Sequence, residues 1–445
     1  MHASSGVVFG LDPFWVSLAL FALTYIAIIT ERLNRAIIAL LGAALMILSG
    51  VATQQASLRD GVDFNTLGLL TGMMVIVAIT RKCGVFQYVA VWSAKKVNAD
   101  PWGILLMLTL VTALFSAFLD NVTTVLLVAP VTLLITEELK VDPFPYLFAE
   151  IFASNIGGTA TLIGDPPNIM IGSAANLSFN AFIMHLSPVV IVILAANLVP
   201  FYFLWGRKLS ATPEARARVM QFNEREAITN VRLLKQSLAV IALVILGFVL
   251  AHSLHLEPAT IAMGGATLLL LLDNFAHGAE RQSEQVHKTF GEVEWITIFF
   301  FLGLFIVVYG IETAGVLKWL ADRVVIWTGG DLALTAQAIL WVSAFASAIV
   351  DNIPFVATMI PLIESMTPVY GGAGQIEPLW WSLALGACLG GNGTLIGASA
   401  NLIVAGLAER AGYPIRFLKF LWLAFPLMLL SIAVSSGYIY LRYFM

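Results

Sequence analysis

The sequence predicts an all-α polytopic membrane protein made of two inverted-topology repeats, each with a re-entrant helical hairpin and a discontinuous helix. Three observations predict it. First, 59% of the 445 residues are hydrophobic, only 11% are charged and the mean hydropathy is +0.90, which leaves too little polar surface for a soluble globule. Second, one polar, glycine-rich message occurs twice. Asp120-Asn121-Val122-Thr123-Thr124 followed by Gly157-Gly158-Thr159-Ala160-Thr161 and Gly164-Asp165-Pro166-Pro167-Asn168 is answered by Asp351-Asn352-Ile353-Pro354, then Gly390-Gly391-Asn392-Gly393-Thr394 and Gly397-Ala398-Ser399-Ala400-Asn401. Third, an odd number of crossings separates the copies, so the second half runs opposite to the first.

The opening Met1-His2-Ala3-Ser4-Ser5 lacks a basic run and the first apolar stretch meets Glu31-Arg32, so a first span is expected and no cleavable signal. Apolar stretches near 14–30, 36–52, 64–80, 183–206, 236–253, 257–273, 293–311 and 420–441 are about 20 residues long, the length of a crossing. Two more crossings, near 146–178 and 378–410, carry the glycine-rich breaks. Stretches 101–137 and 332–365 hold an Asp-Asn pair near the middle and read as hairpins with polar tips. The charged 207–235 segment divides a first repeat, 1–206, from a second, 236–445; the 273–294 stretch reads as a solvated loop.

An N-terminus outside leaves all but Arg59, Lys318, Arg323 and Arg442 of the 23 basic residues in the cytoplasm. Ten crossings then put both termini outside. The repeat also pairs Asp63 with Glu294, Gly84 with Gly315 and Pro130 with Pro361. Two cysteines in different halves exclude a disulfide framework. No His or Cys spacing indicates a metal, no P-loop indicates ATP, and no nucleophile–base pair indicates an enzyme.

Polar backbone at membrane depth is tolerated only where protein buries it or a wet cavity needs it, and paired breaks in two halves mark the binding site of a secondary transporter. Asp120 and Asp351 are expected at the tips, either as proton carriers or as caps of half-helices. Asn121, Thr123, Thr124 and Asn352 offer donors and acceptors suited to a neutral polyol or a partly hydrated ion, or to satisfying freed backbone. Gly158, Thr159, Thr161 and Asn168, with Gly391, Asn392, Thr394 and Asn401, are expected around the cavity. Two acids lack a mate: Glu150 aligns with Leu383 and Asp165 with Ala398. Glu150 reads as a third proton site or as the partner of a nearby hydroxyl. Asp63 and Glu294 read as dipole partners at helix starts, and Trp380-Trp381 as part of an interfacial belt.

The runs AEIFASNIGGTATLIGDPPNIMIGSA (149–174) and FLDNVTTVLLVAPVTLL (118–134) resemble the branch of the ion transporter superfamily that holds arsenite efflux permeases (ArsB), P proteins and sodium–proton antiporters. The resemblance implies scaffold and transport parts that move as an elevator, often in a dimer. It also implies a bacterial inner-membrane carrier and allows a cytosolic ATPase docked on the linker. The tip reads Asp-Asn-Val-Thr-Thr rather than the Ser-Asn-Thr of dicarboxylate carriers, and two tip acids would repel an anion. Arsenite, an uncharged trihydroxide near neutral pH, suits Asn and Thr partners with an acid carrying the counter-moving proton. Sodium on the same scaffold would use carboxylates and break carbonyls. Cys388, without a second thiol nearby, reads as a packing residue. No cofactor, metal or nucleic acid is expected.

Overall fold

The computed structural model describes residue 7, residues 10–30 and residues 32–445. The opening five residues and Glu31, on which the reading of the first span leans, lie outside the described residues. Every regular element among the described residues is a helix. Among the described residues, eight helices are long and apolar enough to cross a membrane: Phe64–Arg81, Pro101–Phe118, Asn121–Leu139, Ser187–Gly206, Val231–Leu254, Trp295–Thr313, Leu332–Ile349 and Phe417–Tyr443. Pro13–Ile29, Arg35–Leu48 and Asn352–Met366 are apolar but shorter. Local chemistry sets many of the starts. Asp12, Asn34, Asp63, Asp100 and Asp331 each accept a backbone N–H of the first turn of the helix that follows, satisfying donors that a helix leaves unpaired.

Two hairpins form where the Asp-Asn pairs predict them. The first is Pro101–Phe118 with Asn121–Leu139 and the second Leu332–Ile349 with Asn352–Met366. Leu119 and Val350 are extended and turn the chain at the tips. Each first arm packs along the broken helix of its own half, Phe144–Gly158 or Glu377–Gly390. Each second arm crosses to the other half, Asn121–Leu139 to Ser399–Arg410 and Asn352–Met366 to Pro166–Ala174. Around this interlocked group, Phe64–Arg81 runs along Pro258–Asn274 and Trp295–Thr313 along Arg35–Leu48. Glycines let those backbones meet: a Cβ on Gly72 would lie 2.7 Å from the Ala262 carbonyl carbon, and one on Gly303 2.5 Å from that of Ala39.

Several expectations are corrected. The 273–294 stretch is not simply a loop, because Ala279–Gly291 is helical and its Thr289 accepts from Lys82 Nζ at 2.8 Å. The 207–235 segment contains the helix Pro213–Met220, and Val231–Leu254 begins inside it. Two short helices, Val85–Lys96 and Val316–Trp327, were not anticipated; each follows a left-handed glycine, Gly84 at φ 78° and Gly315 at φ 82°. Trp380 and Trp381 are buried rather than lipid-facing. Trp381 stacks on His185 with centroids 4.9 Å apart and donates to Glu377 at 3.1 Å, so its polar edge is satisfied inside the protein.

Candidate functional site

The two breaks are held open by the same device in both halves. Residues 159–165 and 394–398 are not helical, so their carbonyls need partners that a regular helix would supply. Asn168 reaches back and donates to the carbonyls of Gly158, Thr159 and Thr161 at 3.4, 3.1 and 2.9 Å. Asn401 does the same for Gly391 and Thr394, both at 2.8 Å. Thr161 donates to the carbonyl of Ala117, and Thr394 to that of Ala348, fastening each break to the hairpin arm beside it. Ser116 and Ser347 add matched bonds to the carbonyls of Ser154 and Ala387, both at 2.6 Å. Gly157 and Gly390 complete the fit, since a Cβ there would lie 2.2 and 2.5 Å from the carbonyl oxygens of Ala113 and Ala344.

Where the breaks cross, Asn155 ties the two halves together. Asn155 accepts from Asn121 of the first tip at 3.1 Å and donates to Asn392 and Asn401, each at 2.9 Å. Thr159 donates to the Asn155 carbonyl at 2.7 Å. The residue at the matching place in the second half is Cys388, whose thiol points at Asn168 Oδ1 from 3.5 Å. Cys388 therefore takes part in the crossing and does more than fill space. Sequence reasoning missed Asn155 because its partner in the repeat is a cysteine, and matching identical residues passes over such a pair.

The three aspartates at the crossing differ in what holds them. Asp120 caps the second arm, accepting Thr123 N at 2.8 Å together with the Thr123 hydroxyl. Asp351 accepts Ile353 N at 3.2 Å, Ser399 Oγ at 3.0 Å and the Arg35 guanidinium at 2.7 Å. Asp165 accepts Asn352 Nδ2 at 3.3 Å and has the Cys388 thiol as a weak donor beside it, while its Oδ2 has no N–H or O–H partner among the described residues.

A cavity lies between this crossing and the surrounding helices. Asp120, Asn121, Asp165, Asn352 and Ser399 line one wall, and Arg35, Leu70, Met74, Glu294 and Thr297 the other. An adjoining cavity shares Arg35 and Ser399 and includes Asp351. Glu294 stands at the N-cap of Trp295–Thr313, the place of a dipole partner, but makes no cap bond and faces the cavity; Asp63 caps its helix, accepting Thr66 N at 3.0 Å. Arg35, expected as one more cytoplasmic charge, turns inward to the tip. Of the other expected residues, Thr123 serves the Asp120 cap and Thr124 is buried without a partner for its hydroxyl. Glu150 is fully buried, is not on the cavity wall and accepts from Thr132. No group of three His, Cys, Asp or Glu that could hold a metal occurs among the described residues.

This arrangement has known relatives. The profile of the CitMHS citrate transporters matches residues 25–386. The chain belongs to that family. An uncharacterized transporter of Mycobacterium tuberculosis is 44% identical over 432 residues, covering 96% of this chain and 98% of that protein. The 46 kDa membrane protein of Mycobacterium leprae is 41% identical, with 96% and 98% covered. The human P protein is 33% identical over 95% of this chain, which spans 59% of that longer protein. Among solved structures, the Alcanivorax borkumensis YdaH transporter matches with a TM-score of 0.59 at 14% identity, covering 96% and 98% of the two chains. Neisseria gonorrhoeae MtrF, described as illuminating a class of antimetabolite efflux pumps, matches at 0.61 and 12% identity, covering 99% and 96%. The fold is that of these transporters, and this family member is a membrane transporter, not an enzyme.

Proposed function

We propose that this transporter exports arsenite or antimonite in exchange for protons entering the cell. The observation that carries the reading is the composition of the cavity. Asp120, Asp165 and Glu294 face it, Asp351 lies beside it, and Arg35, bound to Asp351, is the one cation on its wall among the described residues. Such a surplus of carboxylates opposes a free polycarboxylate such as citrate, whatever the family is called. A neutral trihydroxide is compatible with it, finding amide and hydroxyl partners in Asn121, Asn352 and Ser399 while an acid exchanges the proton. Sodium–proton exchange remains the second reading, because the same carboxylates attract a cation; against it, the break carbonyls already receive Asn168 and Asn401.

In this proposal Asn121, Thr123, Thr124, Asn352 and the break residues form the transport part with both hairpins, and the long helices around them form the scaffold of an elevator. Arg35 and Glu294 stand at helix starts on the linker side, so the cavity opens toward the cytoplasm if the linker is cytoplasmic. A homodimer in the bacterial inner membrane fits the proposal. A cytosolic ATPase would meet Arg207, Lys208, Arg225, Arg232 and Lys235, which are exposed on the linker, whereas Arg218 and Glu224 bind Glu138 and Lys95.

Thermal-shift measurement on the purified protein with trivalent arsenite, antimonite, sodium and lithium tests the reading, since a ligand of the folded state raises its stability by mass action. Stabilisation by the two metalloids alone is expected. Stabilisation by sodium or lithium alone would replace the first reading with the second.

A further inference from the structure

Asp165 occupies the N-cap position of Pro166–Ala174 yet makes no side-chain cap bond. The reason lies in the next two residues. Pro166 and Pro167 have no N–H to offer, and the amide of Asn168 is taken by the Asp165 carbonyl at 3.0 Å. The carboxyl group is thus released from the capping that occupies Asp120 and Asp351. It is fully buried and lines the cavity, with one long bond from Asn352 and one oxygen lacking any N–H or O–H donor. An ionised carboxylate in that setting is strongly disfavoured unless something pairs with it.

We infer that Asp165, rather than either tip aspartate, is the group that binds and releases the exchanged proton. This rests on the proton-exchange reading above and adds the residue. The groups around it fit the role. Asp120 and Glu294 line the same cavity and Asp351 the one adjoining it. The Cys388 thiol stands beside it on Glu377–Gly390, whereas Phe64–Arg81 presents only Leu70 and Met74 to the cavity. Arg35 is the nearby cation and is bound to Asp351 at 2.7 Å, so Asp165 has no fixed counter-charge among the described residues. When the proton leaves, the carboxylate becomes an acceptor for a substrate hydroxyl; when it returns, the hydroxyl is released. The matching position in the other half is Ala398, so each chain carries one such group.

The test is pH-difference infrared spectroscopy of the full-length protein in lipid. A protonated-carboxyl C=O band that disappears as pH rises is expected in the wild type. It should be absent in Asp165→Asn, shifted in Asp165→Glu, and retained in Asp120→Asn, Asp351→Asn and Glu150→Gln. A band that survives in Asp165→Asn, or that is lost in one of the other three variants alone, overturns the assignment. Asp165→Glu keeps a carboxyl group and serves if Asp165→Asn does not fold. Adding trivalent arsenite at fixed pH separates the two claims: loss of the Asp165 band supports both, while an Asp165 band indifferent to arsenite keeps the proton site and rejects arsenite as its competitor.

Discussion

Asn155 shows how one amide can organise a site. Its two polar ends join the first tip to the second break, and all the groups it touches are buried. Replacing it with Ala leaves Asn121, Asn392 and Asn401 each short of a hydrogen-bond partner. We expect Asn155→Ala to lose roughly 1–3 kcal/mol of stability, read as a lower melting temperature, and to lower transport further than folding alone explains. An unchanged melting temperature would mean that the crossing is held elsewhere. Arg35 and Asp351 invite a double-mutant cycle, because their side chains are 29% and 17% exposed, between the limits of a surface and a buried pair. Arg35→Gln should cost about 1–3 kcal/mol, and Arg35→Gln with Asp351→Asn less than the sum of the single changes. Strict additivity would show that the pair is not coupled. The tip and break residues were legible in the sequence because they repeat. Asn155, whose mate is a cysteine, and Arg35 were not, since only packing reveals what they meet; Asp165 stood out as an acid without a mate, but its freedom from capping shows only in the structure.

At the scale of elements, hairpins and breaks follow from simple chemistry: an Asp-Asn pair that ends one arm and caps the next, and glycine where two backbones touch. Gly157→Ala places a Cβ 2.2 Å from the Ala113 carbonyl oxygen, and backbone cannot yield as a flexible side chain would. A loss of about 1–3 kcal/mol is expected, while Gly437→Ala, which meets nothing within 4 Å, should be neutral or slightly stabilising. Equal effects in the two variants would refute the close approach. The linker is also an element with a job. Lys95 Nζ donates to Glu224 at 2.6 Å, Arg218 to Glu138 at 3.1 Å, and Thr229 Oγ1 to the Lys82 carbonyl at 2.6 Å, strapping the segment across the foot of the first hairpin. The hydrogen bond from Lys95 holds the Glu224 carboxyl below its ordinary range. A depressed folded-state value means the contact is fully present above the ordinary carboxylate pKa of about 4.3 and is lost as pH falls through the folded value. Amide protection in 221–230, taken relative to the intrinsic exchange rate at each pH, should therefore be high at neutral pH and fall below about pH 4. Protection that is equally low at both pH values would show that the strap is open throughout.

For the whole molecule, composition announced a membrane protein and the doubled message announced the crossing of two halves. The helix pairing agrees with opposed repeats: Gly68 and Gly72 face Ala259 and Ala262, while Gly303 and Gly310 face Ala39 and Met46, so each third helix runs parallel to the second helix of the other half. What the sequence could not disclose is the state of the cavity, because whether it opens to the linker side depends on how the crossing sits against Arg35–Leu48 and Trp295–Thr313. With the termini outside, impermeant thiol labelling of single cysteines at 220 and 444 should find the first protected and the second reactive in intact cells. The central claim is coupled exchange at the crossing of the two breaks, and flux into proteoliposomes with an imposed pH gradient tests it most directly. With an acidic interior, arsenite should accumulate above its external concentration, and should stop doing so when the gradient is collapsed or when Asp165 is replaced by Asn. Arsenite entry that is the same with and without the gradient, or the same in protein-free liposomes, would contradict it.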